Sequence, residues 1–339
     1  MNRPDTRDAR GRPLHDLRVS VTDRCNFRCV YCMPREKFGA DHEFLRRDDL
    51  LTFDEITRVV TAAHELGVRK VRLTGGEPLL RPGIADLVAA MKELPALEVA
   101  MTTNGSLLAA RASELADAGL DRVTVSLDSL DPATFRRMTD SRVSLDDVVT
   151  GIDAAVAAGL APVKVNVVVR ADSERGDLVA IARHFRATPV VVRFIEYMDV
   201  GSTNAWSRTD VMNGADIVAA IDADSPLEPL PATVVGEVAR RYRHRDGSGE
   251  IGVITSVSAP FCGDCTRLRL AANGDLFTCL FANSGTGLRE LVRSGADHGR
   301  LVDALRDVWT FRSDRYSELR AERGARRDDG RVEMSYIGG

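Results

Sequence analysis

Residues 17–32 read LRVSVTDRCNFRCVYC. The first six alternate apolar and polar positions as a half-buried strand does, and Cys25, Cys29 and Cys32 follow at once. A strand that ends in a loop rich in ligands suits a parallel α/β protein, whose working residues sit on loops at the C-terminal ends of strands. Five further runs look alike: RKVRLT (69–74), EVAMTT (98–103), RVTVSL (122–127), VKVNVVV (163–169) and VVVRFI (190–195). Helix signals lie between them. Thr52 and Glu55 in TFDE form a capping box, and Gly67 ends the apolar-periodic run ITRVVTAAHEL. Alternating β and α units predict a parallel sheet with right-handed crossovers. Six units make either a doubly wound sheet or an incomplete (β/α)6 barrel, because a closed barrel takes eight.

The 339 residues exceed one α/β domain of about 200–250 residues. The rhythm changes near residue 205, so we expect a first region over 1–205 and a smaller one over 206–339. In the second, DADSPLEPLPATV reads as a Pro-rich linker, GEIGVITSV and TRLRLAANGDLFTCLF as strands, and Asn273-Gly274 as a hairpin turn. A composition of 44% hydrophobic and 28% charged residues is that of a soluble globular protein, with no membrane span expected. MNRPDTRDARGRPLHDLR lacks the apolar centre of a signal peptide, so the expected location is the cytoplasm. The net charge of −4 leaves no footprint for nucleic acid. RAERGARRDDGR (320–331) mixes acids with bases and reads as a solvated tail.

All six cysteines fall into two triads, the second being Cys262, Cys265 and Cys279. In a reducing compartment such clusters are metal ligands or reactive thiols rather than disulfides. A closed zinc site takes four ligands, and neither triad has a nearby histidine to complete one. A [4Fe-4S] cube held by three cysteines keeps one iron open for a small molecule. Zinc completed by a distant residue, or reducible pairs at Cys29/Cys32 and Cys262/Cys265, remain open on spacing alone.

CNFRCVYC, with CxxxCxxC spacing and an aromatic residue before the last cysteine, resembles the signature of the radical S-adenosylmethionine (SAM) superfamily, and GGEP (75–78) after the second strand extends the likeness. The resemblance implies a partial barrel of six βα units and a cluster whose open iron is chelated by SAM. One electron then cleaves the sulfonium to a 5'-deoxyadenosyl radical. RLTGGEPLLR, MTTNG, SLDSLD, VKVNVVV, RFIEYMDVG, PFCGDCTRLRL, DRYSELR and a terminal GG are together similar to the GTP 3',8-cyclase family of molybdenum cofactor biosynthesis, in order from about 17 to 339. That family carries a second [4Fe-4S] cluster, here implied on Cys262, Cys265 and Cys279, whose free iron binds guanine. Thr278 stands where the likeness leads us to expect proline, which alters loop stiffness and not ligation.

By this resemblance Tyr31, Gly76, Ser126 and Met198 contact SAM, with Gly76 letting backbone approach it without a Cβ. Arg18, Arg72, Thr103, Lys164, Arg267 and Arg269 bind GTP; Lys70 and Arg193 share the strand setting and rank after them. The terminal Gly-Gly, elsewhere a frayed end, reaches into the active site. The implied reaction takes a hydrogen from ribose C3' of GTP and joins that carbon to C8, releasing 5'-deoxyadenosine and methionine. An electron donor is required, and the product passes to the enzyme that makes cyclic pyranopterin monophosphate. A homodimer is admitted but not required. The rivals are a peptide-modifying radical SAM enzyme with an auxiliary cluster and, from another class, an electron carrier or zinc-stabilised binding protein. Arginines in the strands and in RLR after Cys265 favour a polyanionic substrate.

Overall fold

The computed structural model describes residues 6–204, 206–234, 236–323 and 330–338. Gly339 and the middle of the 320–331 segment lie outside them. The six expected strands form as β1 (Asp16–Ser20), β2 (Lys70–Thr74), β3 (Glu98–Thr103), β4 (Arg122–Ser126), β5 (Val163–Val169) and β6 (Val190–Glu196). They lie parallel and in chain order. Helices Phe53–Glu65, Ile84–Lys92, Leu108–Asp117, Leu145–Ala157 and Arg175–Phe185 join them. The first helix starts at the expected capping box: Thr52 Oγ1 accepts from the Glu55 N–H at 3.1 Å, and the Glu55 carboxylate accepts from the Thr52 N–H at 2.7 Å. Gly67 then leads the chain away at φ 119°.

After β6 come β7 (Leu227–Leu230), β8 (Arg240–His244), β9 (Glu250–Ile254), β10 (Arg267–Leu270), β11 (Asp275–Phe277) and β12 (Thr286–Gly287). Among the described residues they build no second sheet. β10 pairs parallel with β1 and β9 parallel with β6, giving one open twelve-stranded sheet in the order β12-β11-β10-β1-β2-β3-β4-β5-β6-β9-β8-β7. Both edges of the six-unit sheet are thus covered by later chain. Asn273-Gly274 turns β10 into antiparallel β11, with Arg269 opposite Phe277. The Pro-rich stretch is not a plain linker, because Leu227–Leu230 pairs with β8. Pro229 is tolerated there because β7 is the sheet's last strand, whose outward N–H needs no partner.

Strand alternation divides the side chains. On β5, Val163, Val165, Val167 and Val169 are buried in the hydrophobic core, while Lys164, Asn166 and Val168 occupy the opposite, inward face. Each such buried valine contributes about 1.5–3 kcal/mol. The segment expected as a solvated tail departs from that reading at both ends. Arg320 and Arg331 are nearly enclosed and pair with Asp199 at 2.8 and 3.0 Å, while Tyr316 donates to the same carboxylate at 2.6 Å. A carboxylate buried beside β6 recruits arginines that a local reading leaves in water.

Candidate active site

The inward face of the sheet is basic. Register sets Arg269, Arg18 and Arg72 side by side on β10, β1 and β2, an arrangement in which like charges repel. Arg72 reaches the hydroxyls of Thr102 and Thr124, both at 3.2 Å. Arg193 stands opposite Asn166 and donates to its Oδ1 at 3.0 Å. Arg267 lies over the Phe261 ring, 5.2 Å from its centre. Burial first, and neighbouring cations second, push Arg18, Arg72, Arg193 and Arg269 below the usual arginine range. Guanidinium keeps its proton in proteins, so this is an uncompensated cost of burying charge, sharpened by repulsion. Among the described residues none of these five arginines pairs with a carboxylate.

The five, with Cys262, Cys265 and Cys279, line a cavity of about 240 Å³. Native interiors hold few voids larger than a water, so this is a site and not a packing defect. Tyr31, Ser126 and Met198 line it too, as do Asp128, Asn166 and Thr102. Gly76, Thr103, Lys164 and the first triad, Cys25, Cys29 and Cys32, are not on its wall, although Tyr31 between those cysteines is. The Thr103 hydroxyl donates to Glu77 at 2.8 Å, and strand alternation turns Thr102 inward instead. Lys164 lies on the inward face of β5 one step below Asn166, pushed down to about 7 by burial and by Arg193. Lys70 pairs with Glu98 at 3.6 Å.

The first triad follows β1 on a loop braced by the GGEP turn. Thr22 O accepts from the Gly76 N–H and Arg24 O from the Glu77 N–H, each at 2.8 Å. A Cβ on Gly76 would strike the Arg24 carbonyl, so the cysteine loop itself demands this glycine, whatever ligand approaches. Glu77, fully buried, accepts from Leu79 N, Thr103 Oγ1 and Asn104 N at 3.0, 2.8 and 2.7 Å. Burial raises its carboxyl to about 7. Asn104 carries the brace onward to Asn26 Oδ1 at 2.7 Å and Cys25 Sγ at 3.8 Å. Tyr31 donates to Asp128 at 2.8 Å, and the other oxygen of Asp128 accepts from Val168 N at 2.8 Å. Burial raises all three thiols of this triad, Cys25 to about 11.

The second triad has different surroundings. Burial raises Cys265, but Arg267 and Arg312 outweigh it and bring the thiol to about 6. Arg312 donates to Cys265 O at 2.7 Å and to its Sγ at 3.2 Å. Arg12 donates to Cys262 O at 2.7 Å and Asp314 O at 2.8 Å. Neither arginine was marked by the sequence, because these contacts close across 47 to 302 residues with no local period to betray them. Arg12 Nη2 is buried with no acceptor, and Arg312 Nε has only Asp314, 3.5 Å away. A buried cationic donor without a partner, beside three thiols, fits an anionic, sulfide-bearing cluster. No three His, Cys, Asp or Glu among the described residues converge on one metal ion. Three thiols are the donor set that a four-iron cube takes from a chain, one cysteine to each of three irons.

The chain's end closes the cavity's edge. Gly338, at φ 74°, sits against Ser20 and Thr74 where β1 and β2 end, and its carbonyl accepts from Arg269. Glu333 holds Ser202 N at 3.0 Å and Thr203 Oγ1 at 3.0 Å, in the loop that follows Met198.

An open sheet of six βα units, with a cysteine triad after β1 and GGEP after β2, defines the class of radical SAM enzymes. Residues 19–184 match the family described as Radical SAM superfamily, and 190–318 match Molybdenum Cofactor Synthesis C. The chain is 54% identical to a GTP 3',8-cyclase of Acidothermus cellulolyticus, covering 98% of this chain and 99% of that one. A GTP 3',8-cyclase of Xanthomonas campestris pv. campestris is 47% identical (98% and 97% covered) and one of Staphylococcus haemolyticus 42% (98% of each). The chain belongs to the GTP 3',8-cyclase family, a branch of the radical SAM superfamily, and with that membership come SAM and a [4Fe-4S] cluster. Among solved structures, Streptococcus suis SuiB bound to S-adenosylmethionine is similar at TM-score 0.61 and 17% identity, over 87% of this chain and 68% of that one, a likeness of fold alone. No helix among the described residues is long and apolar enough to cross a membrane.

Proposed function

We propose that this chain cyclises GTP by joining ribose C3' to guanine C8. The observation that carries the proposal is the shared cavity: five arginines and the second cysteine triad face the space that Tyr31, Ser126 and Met198 also line. Cys25, Cys29 and Cys32 hold the first cluster, and Tyr31, Gly76, Ser126 and Met198 position SAM. Cys262, Cys265 and Cys279 hold a second [4Fe-4S] cluster. Arg18, Arg72, Arg267 and Arg269 receive GTP, Arg193 and Thr102 join them on the cavity wall, and Lys164 and Thr103 act from off that wall, Thr103 through its bond to Glu77. A triphosphate brings up to about four negative charges, and one ion pair at roughly 4 Å gains about 4 kcal/mol at an effective dielectric near 20. Several such pairs offset the desolvation that a single one would not. A [4Fe-4S] cluster held by Cys25, Cys29 and Cys32 would supply the one-electron reduction that cleaves SAM, for hydrogen abstraction at C3'. The walls fix the ribose and keep water away from that step. The chain works in the cytoplasm, draws on an external electron donor and hands its product to the enzyme making cyclic pyranopterin monophosphate. A homodimer is compatible with this role.

The test incubates reconstituted protein anaerobically with dithionite, SAM and GTP deuterated at C3'. Deuterium should appear in 5'-deoxyadenosine. SAM cleavage indifferent to GTP, with no transfer of label, would overturn the proposal.

A further inference from the structure

We infer that Arg312 is a positioning residue that holds the second cluster at a higher reduction potential than the first, through a charge-assisted N–H···S bond to Cys265; the inference rests on the proposal that Cys262, Cys265 and Cys279 carry a cluster. The geometry is built for it. Arg312 is almost wholly enclosed, and one guanidinium edge grips both the carbonyl and the sulfur of Cys265, at 2.7 and 3.2 Å. Its flat face lies on the Trp309 ring, 4.5 Å from the centre. Asp8, fully buried, pairs with it at 3.5 Å and with Arg12 Nε at 2.6 Å, and accepts from the backbone N–H of Arg10 and Arg12, both at 2.9 Å. Asp314 lies on the other side, 3.5 Å from Arg312 Nε, so two guanidiniums meet two carboxylates, and what sets this site apart is the charged donor placed directly on the Cys265 sulfur.

Reduction places an added electron's charge on iron and sulfur. Donors and positive charge at the sulfurs stabilise that state and raise the potential, and a charged donor does so more strongly than a neutral one. At the first triad the donors to sulfur are neutral: Phe27 N at 3.4 Å and the Asn104 amide at 3.8 Å, both to Cys25. Arg28 there grips the carbonyl of Cys25, at 2.7 Å, and not its sulfur. The two clusters therefore sit in unequal fields that the chain itself sets.

The test uses the full chain carrying Cys25→Ser, Cys29→Ser and Cys32→Ser, which leaves only the second triad, and follows the reduced cluster by electron paramagnetic resonance during an anaerobic redox titration. Iron near about four per chain supports the cluster beneath the inference; absence of iron removes that reading and the inference with it. With iron present, Arg312→Gln should lower the midpoint potential, and an unchanged midpoint overturns the inference alone. Should Arg312→Gln fail to retain iron, Arg312→Lys decides. It keeps the charge but cannot grip carbonyl and sulfur together, so its midpoint should also fall below the parent's, and equality overturns the inference. In the same titrations the first cluster, isolated by Cys262→Ser, Cys265→Ser and Cys279→Ser, should be reduced only at lower potential than the second; the reverse order overturns it as well.

Discussion

Arg18 is half-buried on the cavity wall beside Arg269, Arg267 and Arg72, with no carboxylate paired to it among the described residues. Such a group opposes folding until an anion arrives. We predict that Arg18→Met raises the thermal midpoint of the ligand-free protein while weakening GTP binding. A lost charge-assisted contact is worth about 1.5–3 kcal/mol, or roughly 10- to 150-fold in Kd. Calorimetry of both quantities checks it, and a lower midpoint with intact GTP affinity would refute it. Glu77 makes a second residue-scale case, now with pH. Burial raises its carboxyl from 4.5 to about 7 in the folded chain. A raised carboxyl favours folding fully below 4.5, and that contribution disappears as pH climbs to about 7. At 1.36 kcal/mol per unit the loss is roughly 3 kcal/mol. Glu77→Gln cannot titrate, so the difference in unfolding free energy between parent and variant should shift in the variant's favour between pH 4.5 and 7. A pH-independent difference would remove the role assigned to burial.

At the scale of elements, the cysteine loop is held by a turn from the next strand and not by its own sequence. Gly76→Ala would drive a methyl into the Arg24 carbonyl, backbone against backbone, where nothing can swing aside. We expect this variant to lose the iron of the first cluster and keep that of the second, about half the total, measured by iron and sulfide analysis after reconstitution. Full iron content would show the brace to be dispensable. Alternation made the strands legible, because period two survives in any inward-polar, outward-apolar strand, and the capping box at Thr52 and Glu55 needs only neighbours in sequence. The same alternation separates Thr102 from Thr103, and the resemblance picked Thr103, the one whose hydroxyl turns away from the cavity to Glu77. Leu227–Leu230 was hidden by its prolines, which an edge strand tolerates. Arg12 and Arg312 left no sign in the sequence because a buried ion network has no period at all.

On the scale of the whole molecule, the chain after β6 returns to flank both sides of the sheet that precedes it. β10 supplies hydrogen bonds to β1, and β9 to β6. β10 also carries Arg267 and Arg269, so one strand both caps an edge and charges the cavity. A fragment of residues 1–205 would present two bare parallel edges, each a row of unpaired N–H and C=O groups open to other chains. It would also lack Arg312 and Trp309, whose helix buries against the N-terminal segment through the bond from Trp309 Nε1 to Arg12 O at 3.2 Å. We therefore expect residues 1–205 expressed alone to aggregate, whereas the full chain stays dispersed under the same conditions. Size-exclusion chromatography with far-ultraviolet circular dichroism decides between them. A monodisperse fragment with native-like helix and strand content would mean that the six-unit sheet is self-sufficient and that its later strands serve chemistry only. If the fragment aggregates, the cysteine triad that lines the cavity and the strands that keep the sheet soluble are inseparable parts of one returning segment.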